Sequence, residues 1–569
     1  MPTKLLFLFC IIYSWSSFAQ EKKKEKIKIS GSAGLYGDFY KMKADTPNAI
    51  AARRPPFVGR AVLNTTISYR KFSLPITMSM SSFHSSVVVQ APIPNVRGFN
   101  FENIKTQVMN PQNRIGIAPK YKWAQLMLGS QVPNYSELSV GDLSVFGAGI
   151  TLTPKKFRFS VFAGKSQLAV NEDLSQNIQG VFARKMYMAK IGLGHEDSSH
   201  FYIITSLLQD DTASLSSRPS QTAPQAGTLS SLDYRLNFSK TVYLKGEVSA
   251  SAFTRNSFNS EIPNFSPSLP KLLFIPRNSS RFDYASIATL GKTGKIFNLK
   301  LIGRYLGDGF VPLGFPFLQT DRAEATIEPG FNLFKNKVQL SGSIGRRINN
   351  LSGIRGSTST QTIGSANVNI QFSESFNLSG SYSNFGFRNA ITNDTFRVQM
   401  VTNSWSITPT YSKTTEKNSH NISLTYSNNV FRDFNVVTGA LNDNDANNAL
   451  ISYTLTKLNN PFSLNTILSY FDNNSSLGKL TTNSANITAG YAFFKKKINT
   501  TLGLTVADNK YNNQAAGFQV MPTLGLKYRL NKKMQMGLNG SLNLYEFGTA
   551  RPGISYQENM LRTFITYQF

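Results

Sequence analysis

Residues 518–530 read Phe518-Gln519-Val520-Met521-Pro522-Thr523-Leu524-Gly525-Leu526-Lys527-Tyr528-Arg529-Leu530, and their polarity alternates with a period of two. All of the even-numbered positions in this run are apolar or aromatic. Gln519, Thr523, Lys527 and Arg529 occupy the other face. Successive side chains of a β-strand point to opposite faces of its sheet, so this period is that of a strand with one apolar face. The segment therefore predicts an amphipathic strand.

The same pattern recurs from Ile27 to the end of the chain, for example over 232–238, 366–372 and 534–544, and no stretch favours a helix. Short turns alternate with long polar stretches along most of the chain. A sandwich gives no reason for that order, whereas membrane barrels have short periplasmic turns and long extracellular loops. The sequence predicts an all-β transmembrane antiparallel β-barrel of about 26 strands (roughly 24–28), with both termini periplasmic because the number is even.

The amino-terminal residues have the features of an export signal. Lys4 is followed by an apolar run from Leu5 to Tyr13, and Ser17-Phe18-Ala19 offers small residues for cleavage. We predict a signal peptide over 1–20, a charged lead over 21–26 and a barrel over 27–569. The single cysteine, Cys10, lies within the predicted signal, so the processed chain has no thiol for a disulfide or a thiolate metal site.

Membrane insertion by helices is not favoured by the composition. Only 41% of the residues are hydrophobic, and no apolar stretch after residue 20 approaches the length of a membrane helix. A membrane location then requires a closed sheet, whose backbone groups are all paired between strands.

Four prolines interrupt the strand pattern at equivalent places. Pro119, Pro329, Pro409 and Pro522 each lie on the apolar face of a predicted strand, shortly before a short turn. Proline lacks the donor that a central strand needs. We interpret the recurrence as a set of β-bulges near the periplasmic rim.

The carboxyl-terminal residues Ile565-Thr566-Tyr567-Gln568-Phe569 form an alternating strand that ends on an aromatic residue. With the export signal, this end resembles that of bacterial outer-membrane β-barrels. The resemblance implies that Tyr567 and Phe569 belong to the signal read by the barrel-assembly machinery, which would then be a partner.

Three further stretches, 116–123, 146–154 and 314–321, resemble a group of long outer-membrane proteins of the Bacteroidota that is largely uncharacterised. They read Gly-Ile-Ala-Pro-Lys-Tyr-Lys-Trp, Phe-Gly-Ala-Gly-Ile-Thr-Leu-Thr-Pro and Gly-Phe-Pro-Phe-Leu-Gln-Thr-Asp. The resemblance implies a location in the outer membrane of a Gram-negative cell and carries over no functional residues. Large barrels of that phylum often export or display surface proteins, which is an analogy at the level of the fold.

A barrel of this size has room for an aqueous lumen, because porins of about 16–18 strands already leave one. The longest loops, 84–111 and 255–280, are the best candidates to fold inward, since several prolines stiffen them. The alternative that both stay at the surface remains open.

The formal net charge of +29 favours anionic partners. Nucleic acid is not expected, because an exported chain seldom meets it. Arginines in or beside the predicted outer loops are candidates for contacts with lipopolysaccharide or another anion, because arginine binds phosphate and carboxylate bidentately. These are Arg53, Arg54, Arg97, Arg114, Arg277 and Arg281, with Arg184, Arg218 and Arg255 as further members. Solvated loop charge is the alternative.

Catalytic and metal sites are not predicted. His195 and His200 are five positions apart in a presumed turn, whereas a zinc HExxH motif needs histidines four apart on a helix. Asp443-Asn444-Asp445 lacks the glycine and distal glutamate of a calcium loop. We therefore expect no cofactor and no enzymatic activity.

The function that these features favour is a conduit or scaffold for export or surface assembly of macromolecules, with a surface-protein or export partner. One alternative is a porin-like diffusion channel, constricted by loops and preferring anions. The other is a surface adhesin or polysaccharide-binding barrel. In each case outer-membrane lipid and lipopolysaccharide surround the protein.

Overall fold

The computed structural model describes residues 27–46, 52–82, 113–141, 143–263, 270–271, 273–315, 318–391, 393 and 395–569. Within these ranges the regular structure is almost entirely strand; the exceptions are a 3-10 turn, Leu174–Gln176, and a short helix α1, Gly439–Asn442. No helix there is long and apolar enough to cross a membrane. The predicted signal peptide and charged lead, loop 84–111 and Arg97 lie outside the described residues.

The strands follow the period-two segments of the sequence. The first nine are β1 (Lys28–Ala44), β2 (Phe57–Tyr69), β3 (Phe72–Ser81), β4 (Arg114–Ile117 with Lys120–Tyr121), β5 (Ala124–Gln131), β6 (Val145–Leu152), β7 (Phe157–Gln167), β8 (Ala183–Gly194) and β9 (His200–Asp211). The two pieces of β4 form one strand of the wall, because both pair with β3 on one side and with β5 on the other.

The next nine strands continue around the wall. They are β10 (Ala226–Asn237), β11 (Val242–Thr254), β12 (Ser280–Lys292), β13 (Phe297–Leu306), β14 (Arg322–Leu333), β15 (Val338–Asn349), β16 (Ser359–Gln371), β17 (Phe376–Asn389) and β18 (Gln399–Thr414). The last eight are β19 (Asn418–Asp433), β20 (Asn444–Lys457), β21 (Phe462–Ser475), β22 (Gly478–Phe493), β23 (Ile498–Tyr511), β24 (Gln514–Arg529), β25 (Met534–Phe547) and β26 (Tyr556–Gln568).

The sheet closes on itself. Every strand pairs antiparallel with its neighbour in sequence, and β1 pairs with β26 from Ser32–Gln568 to Ala44–Tyr556. The chain is thus a closed antiparallel β-barrel of 26 strands, as the sequence predicts, and the sandwich alternative is excluded. Tilted strands spaced as in ordinary sheets would make a circular ring of this size about 50 Å across.

The two rims of the barrel differ in their connections. At the short-turn rim, where Lys28 and Gln568 also lie, consecutive strands are joined by two to five residues. At the long-loop rim most connections are longer, which confirms the predicted alternation. Two of them differ, because β21–β22 and β23–β24 turn through only Ser476-Leu477 and Asn512-Asn513.

The interpretation of the four prolines as bulges is wrong. Pro329, Pro409 and Pro522 each leave a gap of two residues in one ladder, as between Ile327–Ile344 and Gly330–Ser341, and Pro119 leaves such a gap in both of its ladders. The register is the same on both sides of every gap. A bulge would add a residue and shift the register. The missing donor of Pro329 concerns only one of the two neighbouring strands, and the ladder to the other, through Leu299, is unbroken.

The outer face of the wall is apolar all the way round. On β9, Phe201 and Ile203 are 51% and 50% exposed, whereas Tyr202 and Ile204, which face inward, are fully buried. On β19, Ile422 and Leu424 are exposed in the same way, and the intervening Ser423 bonds to Ser452 on the lumenal side. Large apolar side chains left open to the outside in this regular fashion are typical of a surface that faces lipid.

Candidate lumenal site

Two connections of the long-loop rim fold into the barrel and lie against its inner wall. We call their described residues the inward segments: 132–141 with 143–144, between β5 and β6, and 307–315 with 318–321, between β13 and β14. Leu138, Val140 and Phe310 of these segments are fully buried. Loop 255–280, which the sequence predicts to fold inward, is not confirmed in that role, since its described contacts include Pro224, Phe182 and Arg218 of neighbouring long loops.

The wall beneath the inward segments carries apolar side chains on its lumenal face. This apolar pad extends over β6–β13 and forms two clusters with the segments. One contains Val145, Phe162, Met186, Met188, Ile204, Leu208 and Phe253, packed with Tyr135, Val140 and Leu313, and the other contains Leu229, Ala285, Ile287 and Leu306, packed with Leu138 and Phe310. Full burial of one such large side chain stabilises by about 1.5–3 kcal/mol, so the pad is sufficient to hold both segments.

Polar contacts fix the first inward segment deep in the lumen. The carboxylate of Glu247 on β11 accepts hydrogen bonds from Ser136 Oγ at 2.6 Å and Leu138 N at 3.0 Å. Lys190 Nζ donates to the carbonyl of Tyr135 at 3.2 Å. The hydroxyl of Tyr135 lies 2.9 Å from Ser160 Oγ, only three residues from the start of β7 at the short-turn rim. Burial raises the pKa of the Tyr135 hydroxyl.

The second inward segment is held at both ends and touches the first. Gly309 N donates to Asp283 Oδ2 at 2.8 Å, and Val311 N donates to Ser251 Oγ at 3.1 Å. The buried carboxylate of Asp321 accepts hydrogen bonds from Ser352. A Cβ at Gly314 would stand 2.8 Å from Val140 Cγ2, so glycine is what permits the close approach of the two segments.

Three arginines converge where the inward segments meet the wall. Arg304 of β13 lies opposite Glu324 of β14, which lies opposite Arg347 of β15. Arg347 donates to Glu324 Oε2 from Nε at 2.9 Å, and its Nη2 lies 2.8 Å from the same oxygen. Arg304 Nη2 lies 2.9 Å from Oε1 of Glu137 on the first segment.

The third arginine, Arg322, begins β14 next to the buried Leu306 and is itself only 8% exposed. With Arg304 it lines a cleft of about 580 Å³ between the inward segments. Its other polar lining residues are Asn134, Ser136, Glu137 and Gln319, and its apolar ones include Ile287, Leu306, Phe315 and Leu318. The cleft is the most developed candidate site in the described part of the chain.

The arginines predicted from the sequence, as far as the structure describes them, do not converge. Arg53 lies over the ring of Tyr556 and 3.6 Å from Glu558, and Arg54 and Arg114 are exposed elsewhere. Arg277 lies 3.6 Å from Glu261, and Arg281 lies 3.8 Å from Asp308. Of the further members, Arg184 forms a bidentate pair with Asp210, Arg218 lies over the ring of Phe258, and Arg255 is exposed.

Sequence reasoning did not select Arg304, Arg322 and Arg347, because it considered loop arginines alone. The available signal was their position on the polar face of predicted strands, where a charge points into the lumen. Arg322 also follows directly after 314–321, one of the stretches that carry the Bacteroidota resemblance.

The remaining sequence candidates occupy ordinary structural positions. Tyr567 packs edge-to-face with Phe569, and Phe569 N donates to Gly31 O at 3.0 Å across the closure. His195 Nδ1 lies 2.6 Å from Arg158 Nη2 in a short turn, and Asp443 and Asp445 both face Arg432. Over the described ranges, no three His, Cys, Asp or Glu side chains are grouped as metal ligands would be.

Comparison with known proteins finds likeness at the level of architecture. No protein-family model and no curated protein matches the chain. Among solved structures, Pseudomonas aeruginosa OpdK with vanillate is 12% identical, covering 61% of this chain and 93% of its own, with a TM-score of 0.30. Acinetobacter baumannii OccAB4 is 13% identical, covering 68% and 98%, also with a TM-score of 0.30. The translocation pore of the P pilus usher PapC is 10% identical, covering 95% and 100%, with a TM-score of 0.37.

Proposed function

We propose that this barrel is an outer-membrane conduit for the export or surface assembly of macromolecules. The observation that carries the proposal is the open wall, which we define as β15–β26 together with β1–β3. Among the described residues of these strands, no Leu, Ile, Val, Met or Phe is buried. The inward segments lie against β6–β13, so the lumen next to the open wall keeps a polar surface.

Over β17–β23 the lumenal face of the open wall carries many hydroxyl and amide groups that bond to one another across the strands. Ser381 bonds to Ser406 at 2.7 Å, Thr408 to Thr425 at 3.0 Å, Ser469 to Ser484 at 2.6 Å and Asn486 to Thr505 at 2.7 Å. These groups satisfy each other and present neither an apolar surface nor a strong charge. Such a surface suits a passage through which a bulky chain moves without being bound.

Planar-bilayer recording of the purified full chain tests the conduit. We expect a conductance larger than that of porins of about 16–18 strands in the same salt, because the ring is wider. Polyethylene glycols too large to enter those porins should lower it. A small, steady conductance that such polymers leave unchanged would overturn the proposal.

A second candidate function is a diffusion channel that the inward segments constrict and that prefers anions. The observation in its favour is the group of Arg304, Arg322 and Arg347 beside these segments. Reversal potentials in a salt gradient test it, and a preference for cations would count against it. A surface adhesin or polysaccharide binder is the third class, for which isolated outer loops should bind polysaccharide tightly.

The cellular setting belongs to the same proposal. We place both termini in the periplasm, lipopolysaccharide around the long-loop rim with Arg53 and Arg54 among its contacts, and the barrel-assembly machinery at Tyr567 and Phe569. Origin in the Bacteroidota and the absence of enzymatic activity are parts of it too. Co-purification from detergent-solubilised outer membranes tests the export role, since a stable companion subunit would support it and a solitary barrel would favour diffusion.

A further inference from the structure

Among the described residues, no carboxylate forms an ion pair with the buried guanidinium of Arg322, and Glu324, whose charge acts on it, is paired with Arg347. Only 8% of the residue is exposed, and none of the described residues accepts a hydrogen bond from its Nε. The Nε of Arg304, on the neighbouring strand, is also buried without a partner. A buried donor left unpaired typically costs about 1–3 kcal/mol, and more when it is charged, so two of them in one cleft require an explanation.

The acidic residues nearby are already engaged. Glu324 is paired with Arg347, and Glu137 is paired with Arg304. Three arginines thus face two carboxylates, and one positive charge is left over at Arg322. The pair of Glu137 with Arg304 is the weaker of the two ion pairs. The side chain of Glu137 is 57% exposed and comes from an inward segment, whereas Glu324 belongs to the wall.

The cleft has the size and surface of a site for a small organic anion. Its volume of about 580 Å³ is within the range of small-molecule sites. Its lining offers the guanidinium groups of Arg304 and Arg322, which suit a carboxylate or phosphate group. Ile287 and Leu306, the cross-strand neighbours of Arg304 and Arg322, line it beside them together with Leu318, and these side chains suit an apolar body.

We propose that the cleft between the inward segments binds a small organic anion, whose carboxylate or phosphate group pairs with Arg322 and Arg304 while its apolar part packs on Leu306 and Ile287. The proposal places the cleft in the lumen, as the proposed function does, but it does not depend on what the lumen transports. The two proposals can therefore fail separately. The barrel could conduct and bind no anion, or it could bind an anion and conduct nothing.

Calorimetric titration of the detergent-purified full chain with hexanoate is the test, with inorganic phosphate and hexanol as the other two ligands. We expect saturable binding of hexanoate and no binding of the uncharged hexanol. Phosphate should bind more weakly than hexanoate, because it lacks the apolar part. The Arg322→Gln variant should weaken hexanoate binding by about 10- to 100-fold, the range for losing a charge-assisted hydrogen bond.

The control is Arg346→Gln, which removes an exposed arginine of β15 that points away from the lumen and should leave the affinity unchanged. Glu137→Gln should tighten hexanoate binding several-fold, because it removes the carboxylate that competes for Arg304, and a purely structural role of the arginines would not produce this gain. The gel-mobility shift on heating shows whether each barrel is folded. If Arg322→Gln does not fold, Arg304→Gln takes its place.

Absence of saturable binding by both anions would overturn the proposal. So would hexanoate affinity that the glutamine variants of Arg322 and Arg304 leave unchanged. Equal binding of hexanol would also overturn it, since the charge would then contribute nothing.

Discussion

The covered wall, β6–β13, and the open wall, β15–β26 with β1–β3, have the same outer face and different inner faces. Both present exposed apolar side chains to the outside, such as Ile203 on one and Leu424 on the other. Inside, the covered wall has Phe162, Met186 and Ile204 buried beneath the inward segments, whereas the open wall has serine, threonine and asparagine bonded across strands. The polarity of the outer face matches the lipid around the barrel, which is the same for both walls. The polarity of the inner face depends on whether a segment covers it.

This contrast means that the two walls should respond differently to the same kind of substitution. On the covered wall, substitution of a side chain that faces the lumen affects the docking of the inward segments. This docking is a local equilibrium, separate from unfolding of the barrel. On the open wall the same change meets no docked segment among the described residues.

The largest effect is expected for Phe310→Ala, which removes a fully buried ring from the second inward segment. Loss of such a ring should weaken docking by about 3–5 kcal/mol. Hydrogen exchange of the Val311 amide, which donates to Ser251, measures it, and the wall strands should keep their protection. Phe518→Ala, on the outer face of the open wall, is the matched control and should not alter exchange in the segment. An unchanged Val311 amide in Phe310→Ala would show that the pad does not hold the segment.

A smaller effect is expected for Glu247→Ala. The change removes the acceptor of the Ser136 hydroxyl and of the buried Leu138 amide, which should weaken docking of the first segment by about 2–3 kcal/mol. Released from the wall, the segment should change the single-channel conductance and become accessible to protease.

Glu328→Ala is the control for this variant. Glu328 also faces the lumen, but its pair with Lys300, at 3.1 Å, is partly exposed and should contribute less than about 1 kcal/mol. If the two variants behaved alike, the distinction between a docking carboxylate and an ordinary lumenal one would be lost.

The smallest effect is expected from alkaline pH. Burial raises the pKa of Tyr135 above its usual value of about 10, so docking is fully stable below that value and weakens as the pH rises through the raised pKa. Hydrogen exchange of the first segment, corrected for the intrinsic dependence on pH, should show loosening above about pH 10. Tyr135→Phe should remove this part of the dependence, whereas Tyr470→Phe on the outer face of the open wall should not. A pH profile that Tyr135→Phe leaves unaltered would contradict the assignment.

Much of the barrel could be predicted because its physical cause is local. The period of two follows from side chains that face alternately lipid and lumen, and the alternation of connections follows from the two rims. The ladder gaps at the prolines could not be distinguished from bulges, because sequence shows the missing donor and not the register. Pro522 is an example, with Val520–Leu544 and Thr523–Ser541 in one register on either side.

The inward segments were missed because loop length and proline content guided the choice of loops. Docking depends instead on the wall beneath. Met186-Tyr187-Met188 and Ile203-Ile204 are apolar on both faces of their strands, unlike 366–372, where the inner face is polar. A strand that is apolar on both faces predicts that something covers its lumenal side. That signal pointed to the covered wall, although it could not identify which segments cover it.

The seam between β1 and β26 has a consequence for biogenesis. Arg562 Nε donates to Asp38 Oδ1 at 2.5 Å, and these partners are 524 positions apart in the chain. Until the last strand arrives, both edges of the sheet carry unpaired backbone groups, which hydrocarbon cannot solvate. Insertion of only some of the strands into the membrane is therefore unfavourable. We expect membrane insertion and pairing of β1 with β26 to occur together.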